Sequence, residues 1–295
     1  MKVINRTEHF IEIDDVEYEL RLEPDSCRDV EHRKLEDGRM VIGYLMQDSD
    51  CSNPLEDCDG IGKIHSLSSR HRNSITLDEL EELAAKHGNM AVALSYFEHG
   101  QCKWGVEGSM SNMPDFRWDG VGFAGIWTPD KCCIEHIKSS AIEKLLPEGC
   151  KVAYESKYNP DGTCITRPPK PGETPYLTSG MMVDERYSNV ITLTMPDGKK
   201  IGGFKSFEAG YRSAARRLKI KIDKAERLKG ERLAAIDCAE NACEQYTSWC
   251  NGDCYGVVVV TCEADGSMID SDECWGYIGH EYAEQTLKEQ MDGVK

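Results

Sequence analysis

The stretch WCNGDCYGVVVVTCEADGSMIDSDECWGYIGHEYAEQTLKEQM, residues 249–291, decides the fold class. Asn251-Gly252 closes the helical region before it. YGVVVVTC (255–262) is a short apolar run rich in β-branched residues and bounded by turn residues, the mark of a buried strand. CWGYI (274–278) is a second run, and the loop holding Asp265-Gly266 makes the two an antiparallel pair. From His280 to Met291, Tyr282, Ala283 and Leu287 share one apolar side, so a short helix follows. A paired sheet flanked by helices, without alternating strand–helix units, is the pattern of an α+β fold.

Upstream, residues 206–249 contain no proline. Phe207, Tyr211, Ala214, Leu218, Ile222 and Ala225 recur at helical spacing, and Gly230 is the expected break in this long segment. NVITLTM (189–195) reads as a strand that turns at Pro196-Asp197-Gly198-Lys199. Before it, Pro160, Pro168, Pro169, Pro171 and Pro175 fall among Gly, Thr and Lys, a composition that holds neither helix nor central strand. The expected division is an N-terminal α+β domain (1–158), a Pro-rich linker or arm (159–188) and a C-terminal domain (189–295) with the long helix and the terminal hairpin. Mixed or antiparallel sheets are expected in both regions.

The N-terminal region carries its own signals. In EHFIEIDDVEYELRL (8–22) the apolar alternation shifts at Asp14-Asp15, a hairpin turn. RMVIGYLM (39–46) is a strand, and residues 48–62 form a polar loop. Thr76-x-x-Glu79 is a capping box for a helix that Gly88 ends. Residues 90–97 and 101–107 are strands joined at Glu98-His99-Gly100, and GVGFAGIW (120–127) is a buried strand. Thr128-Pro129 reads as the N-cap and first residue of the next helix.

Charge is strongly segregated. The 295-residue chain has net charge −17, yet residues 205–233 hold ten Lys/Arg against four acids. Residues 1–60 and 237–295 are acidic. Such fields suit partner recognition. The acidic balance argues against broad phosphate-backbone binding, so direct nucleic-acid binding is not expected. Three readings compete for the basic segment. It is the solvated face of a helix, a nucleic-acid-binding modulator surface that the spread of Arg216, Arg217, Lys219 and Lys221 around the helix weakens, or a surface built from those residues that docks on the acidic ends of another copy, a contact that salt would weaken. Trp275, Tyr277 and Tyr282 lie among Asp270, Asp272, Glu273, Glu281 and Glu284, which fits either aromatic anchors with a charged rim or ordinary core packing.

No catalytic motif is present. The eight histidines form no H-x-x-x-H, the glycines of 120–125 do not form a nucleotide fingerprint, and there is no P-loop or G-x-S-x-G. Asp48, Asp50, Asp57 and Asp59 superficially resemble a calcium loop, but Pro54 stands where that loop needs its turn glycine. The fourteen cysteines contain no C-x-x-C. They read as reduced thiols, with a zinc-stabilised or metal-dependent module on Cys250 and Cys254 as the alternative. Cys132-Cys133 at a helix start should place one thiol inward and one outward. No cofactor is expected. The N-terminus has charges throughout and no apolar core, and no run is long enough to span a bilayer, so a cytoplasmic protein without membrane contact is expected.

Two blocks carry a resemblance: DSDCSNPLEDCDGIGKIHSLSSRHR (48–72) and NGDCYGVVVVTCEADGSMIDSDECWGYIGHEYAE (251–284). Both are similar to segments of phage and mobile-element proteins. Together with the length, acidity and two-part layout, they make the chain resemble the phage Gabija anti-defence family. The resemblance implies a non-enzymatic inhibitor acting in the cytoplasm of the infected bacterial host. It implies self-association, two domains joined by an arm, and a nuclease–helicase-type defence complex as the target that is denied DNA.

Overall fold

Asp14 and Asp15 both sit at positive φ, 52° and 66°, a backbone that short acidic side chains tolerate. They turn β2 (Phe10–Ile13) into β3 (Val16–Glu19), with Ile13 opposite Val16, as the sequence predicts. The computed structural model describes residues 3–6, 10–21, 27–156 and 189–294. The expected arm at 159–188 lies outside the described residues.

Two compact units emerge, and neither is a continuous piece of chain. The first comprises residues 1–58, 94–124 and 241–295, and the second residues 59–93 and 125–240. The sequential division at 158 and 189 does not describe them. Strand β5 (Met40–Gln47) pairs along its whole length with the strand Cys254–Cys262, so the two ends of the chain share one sheet. Likewise β10 (Lys151–Ser156) pairs with β11 (Asn189–Thr194) across the expected boundary. Pairing partners far apart in sequence leave no local signature, which is why composition placed the boundary elsewhere.

The first unit is layered. β1 (Val3–Arg6), β2 and β3 form a small antiparallel sheet. A four-stranded sheet has the order β14-β13-β5-β4, with β4 at Cys27–Lys34, β13 at Cys254–Cys262 and β14 at Met268–Ile278. Every residue of β13 is buried. Val258, Val260 and Cys262 face the hairpin residues Ile11, Ile13, Tyr18 and Leu20, whereas Val257 and Val259 face Ala283, Leu287 and Met291. The continuous apolar run Val257–Val260 is thus explained by cover on both faces. The second cover is the C-terminal helix His280–Gly293, and Gly43 of β5 lets it approach, since a Cβ there would lie 2.4 Å from the Met291 sulfur.

Another sheet has the order β6-β9-β7-β8, with β6 at Lys63–Ser66, β7 at Val92–His99, β8 at Gln101–Val106 and β9 at Gly120–Thr128. Only the second half of β9 is buried. Short helices α1 (Pro54–Asp57) and α3 (Phe116–Asp119) lie in the first unit, and α2 (Leu77–His87) in the second. The Thr76–Glu79 capping box of α2 is formed in both directions. The next helix, α4 (Lys131–Ser140), starts later than its sequence signal. Thr128 ends β9, and Asp130 is the cap, its carboxylate accepting from Cys133 N at 2.8 Å and from Gly60 N and Gly62 N at 2.7 and 3.1 Å. Burial opposes ionisation of Asp130, but these three backbone donors outweigh it and hold its pKa below the usual carboxylate range.

In the second unit β10, β11 and β12 (Lys200–Phe204) form an antiparallel sheet under helix α5 (Phe207–Arg217). The long helical segment does break, but at Leu218–Asp223, where Lys219 adopts φ 58°. Helix α6 then runs unbroken from Lys224 to Cys250, straight through Gly230. With α6 placed, the C-terminal helix is α7. All registered strand pairs are antiparallel, and the fold is α+β as expected.

Candidate functional site

Strand β14 stands at the edge of its sheet and is exposed along most of its eleven residues. Its partner β13 carries the core contacts, and α7 packs on β13 and β5. Asp270, Asp272 and Glu273 are therefore solvated on an open edge, and Glu281 extends the acidic surface onto α7. Acidic side chains on an edge strand discourage pairing with a like copy.

A bulge aims the aromatic anchor. Tyr255 opposes Tyr277 and Val257 opposes Cys274, so Trp275 and Gly276 together face the single residue Gly256. Gly276 takes φ 89°, and its N–H donates to Asp48 at 3.0 Å. The missing side chain at Gly256 is filled by the Trp275 ring, since a Cβ there would fall 2.4 Å from its Cε3. Trp275 nevertheless keeps 43% of its surface exposed, and Tyr282 keeps 62%. Tyr282 meets Tyr277 edge-on at 5.6 Å. Tyr277 shares a hydrogen bond with the Cys274 thiol, which together with burial pushes its phenol up to about 12. His280 pairs with Asp29 at 2.5 Å and fixes the start of α7 against β4. Trp275, Tyr277 and Tyr282 thus gather on one margin of the first unit, two as exposed anchors and one as their support.

The basic residues are not assembled in the same way. Arg216 and Arg217 are exposed in the last turn of α5, where they complement the helix dipole, and Lys219 and Lys221 follow in the link to α6. Other cations of the segment are engaged. Arg212 pairs with Glu208 at 2.7 Å, Arg227 lies between Glu208 and Glu231, and Arg232 donates to the backbone carbonyls of Asn89 and Ala91.

At the end of α6 the structure builds a feature that spacing did not reveal. Side chains of α6 close the outer edge of β8: Thr247 Oγ1 accepts from Trp104 N at 2.9 Å, and the Asn251 amide bonds both Cys102 N and Cys102 O. Tyr96, Trp104, Tyr246 and Trp249 form a run of ring contacts beside it. The Trp249 indole donates to Cys51 O at 2.9 Å. Four cysteines come together here as two hydrogen-bonded pairs, Cys102 with Cys250 and Cys51 with Cys254. The shared hydrogen bond lowers the Cys102 pKa, and together with burial it raises that of Cys250. The sequence alternative placed Cys250 and Cys254 on one metal, whereas each takes a different thiol partner. Among the described residues, no group of three or more His, Cys, Asp or Glu is arranged to hold a metal ion. A polar cavity of about 350 Å³ adjoins the pairs, lined by Gln47, Gln101, Ser248, Asn251, Asp253 and Tyr255. The Tyr255 hydroxyl donates to Asp253 at 2.8 Å.

Among the described residues, the Ser66 hydroxyl meets a histidine ring, His71 Nδ1, at 2.7 Å. Ser66 is fully buried and its oxygen accepts from Ser68 N, so it braces a loop and presents no nucleophile. His65 bonds Thr128 instead, at 3.0 Å, and burial lowers its pKa. In the 48–59 loop, Asn53 caps α1 and Asp48 holds backbone N–H groups.

Cys132 and Cys133 divide as expected, one exposed and one buried. Burial, with Asp130 beside it, pushes the Cys133 thiol up to about 12, and burial raises Cys254 to about 12 and Cys262 to about 11. At pH 8 the thiolate is scarce at these three sites. Iodoacetamide followed by peptide mass spectrometry should therefore label Cys58 and Cys132 in the native protein and Cys133, Cys254 and Cys262 only after unfolding. Rapid native labelling of Cys133 would contradict its burial.

Among the described residues, no helix is long and apolar enough to cross a membrane. No protein-family model, curated protein or solved structure matches this chain.

Proposed function

We propose that the protein is a non-enzymatic, phage-encoded inhibitor that occludes a basic, DNA-handling surface of a bacterial defence complex of the Gabija nuclease–helicase type. The observation that carries this reading is the margin formed by β14 and the start of α7, where Trp275 and Tyr282 stand exposed among Asp270, Asp272, Glu273 and Glu281. Exposed aromatics supply contact area at little entropic cost, and the surrounding acids select a positively charged partner and accelerate encounter. A surface that binds DNA is rich in Lys and Arg, so an acidic face with aromatic anchors competes for it directly. The resemblance of residues 48–72 and 251–284 to phage anti-defence proteins supports the choice of target. The inhibitor acts as a bound mask in the host cytoplasm and turns over no substrate.

Co-expression with a tagged Gabija complex tests this. The wild-type chain should co-purify, and DNA cleavage by the complex should fall. Asp270→Lys with Asp272→Lys and Glu273→Lys should weaken capture at least about tenfold, equivalent to about 1.4 kcal/mol. These sites are exposed, so the thermal midpoint should hold. Undiminished capture by the triple variant, or no capture by the wild type, rejects the proposal.

A further inference from the structure

We infer that the open edge of β9 is a self-association surface, on which a second copy of the chain pairs antiparallel with residues 120–124 about a two-fold axis. β6 pairs with β9 only from Gly125 to Thr128. In the sheet order β6-β9-β7-β8 no other strand lies on that side, so among the described residues the edge of 120–124 is unpaired.

Three edges of this protein can be compared. The β8 edge is closed by Thr247 and Asn251 from α6. The β14 edge is guarded by Asp270, Asp272 and Glu273. Among the described residues nothing covers the β9 edge, and GVGFAGIWT contains no ionisable residue in a chain of net charge −17. An exposed, uncharged edge strand is a template for pairing with another strand.

Its side chains are also those of an interface. Val121 and Phe123 point to the same face of the strand and are 49% and 42% exposed. Trp118, just ahead of the strand in α3, is 76% exposed, with the Arg117 guanidinium 5.2 Å from its ring centre. Gly122 has open space where a Cβ would stand, so nothing inside its own unit requires a glycine there. That open space leaves room for the backbone of a second strand. Pairing centred on Gly122 sets Val121 of each copy against Phe123 of the other, an apolar cross-strand pair made twice.

The occupant is a second copy because the edge is its own complement under a two-fold axis and residues 120–124 carry no charge to recruit an acidic or basic partner. Self-pairing at β14 would instead set carboxylates against carboxylates. This interface does not depend on the identity of the defence target. It makes no use of Arg216, Arg217, Lys219 or Lys221.

Sedimentation velocity of the full chain over a range of concentrations tests the inference. The wild type should show a monomer–dimer equilibrium that persists at about 1 M salt, where exposed ionic contacts are screened within about 3 Å. Val121→Lys with Phe123→Lys should weaken dimerisation about tenfold or more while circular dichroism and the thermal midpoint stay unchanged. Arg216→Glu with Arg217→Glu should leave the dimer intact. A wild-type chain that is monomeric throughout overturns the inference, as does a Val121→Lys/Phe123→Lys variant that dimerises like the wild type. Dissociation by salt would transfer self-association to the basic segment and overturn it too.

Discussion

Trp127→Ala should lower stability by about 3–5 kcal/mol, the range for deleting a large, fully buried aromatic. Trp127 has no exposed surface, and its indole N–H donates to Ile61 O at 2.8 Å. The fit is tight enough that Gly62 must lack a side chain, since a Cβ there would lie 2.6 Å from the indole nitrogen. Gly62 also holds φ 74°, so the turn feeding β6 is built around this ring. Trp127→Phe separates the two contributions. It keeps an aromatic ring but leaves the Ile61 carbonyl without its donor, which costs about 1–3 kcal/mol. Chemical denaturation, with the two midpoints compared against wild type, reads both. Equal stability of the alanine variant and the wild type would mean that this residue is not in the core.

Gly230→Ala should destabilise the protein, the opposite of what the sequence leads one to expect. In the interior of a helix, alanine is favoured over glycine by about 1 kcal/mol. Gly230, however, packs on the end of α4, and a Cβ built on it would lie 2.0 Å from the carbonyl oxygen of Ala141. That neighbour is backbone and cannot swing aside as a flexible side chain can. The helices must separate, and overpacking of this kind costs about 1–3 kcal/mol, which exceeds the propensity gain. Gly230→Val should be worse, because it adds bulk and a β-branched side chain at the same contact. A rise in the unfolding midpoint for Gly230→Ala would show that α4 and α6 do not meet as described.

Gly230 also shows where sequence reading stops. A glycine inside an otherwise helical pattern looks like a break, and the actual break lies at Lys219, a residue with no turn preference. The long helix resumes because Gly230 serves packing, and packing partners distant in sequence are invisible to periodicity. The same limit explains β4, β6 and β12. Their residues CRDVEHRK, KIHS and KIGGF have weak alternation, and neighbouring strands hold them in place. Thr128-Pro129 carried a strong helix-start signal, yet Asp130 won the cap because it can satisfy three backbone N–H groups at once.

The grouping of Trp275, Tyr277 and Tyr282 among acids was legible, but which rings stand exposed was not, since Trp275 and Tyr282 are open and Tyr277 packs against the core. The cysteine pairs were not legible, since Cys102 and Cys250 are joined by the approach of β8 to the end of α6. Trp118 and the β9 edge were missed as well. GVGFAGIW reads as buried along its length, and only the length of β6 determines that its first half is bare.

By itself, the sequence determined the α+β class, the hairpin at Asp14-Asp15, the capped helix at Thr76, the strand pair that follows α6, and the acidic character of the chain's ends. Each of these depends on local periodicity, turn chemistry or charge. Only the tertiary structure decided that residues 40–47 and 254–262 belong to one sheet, where α6 begins, and which strand edges remain open. Those depend on contacts between distant segments, whose free energy comes from burial and close packing and leaves no mark on neighbouring residues.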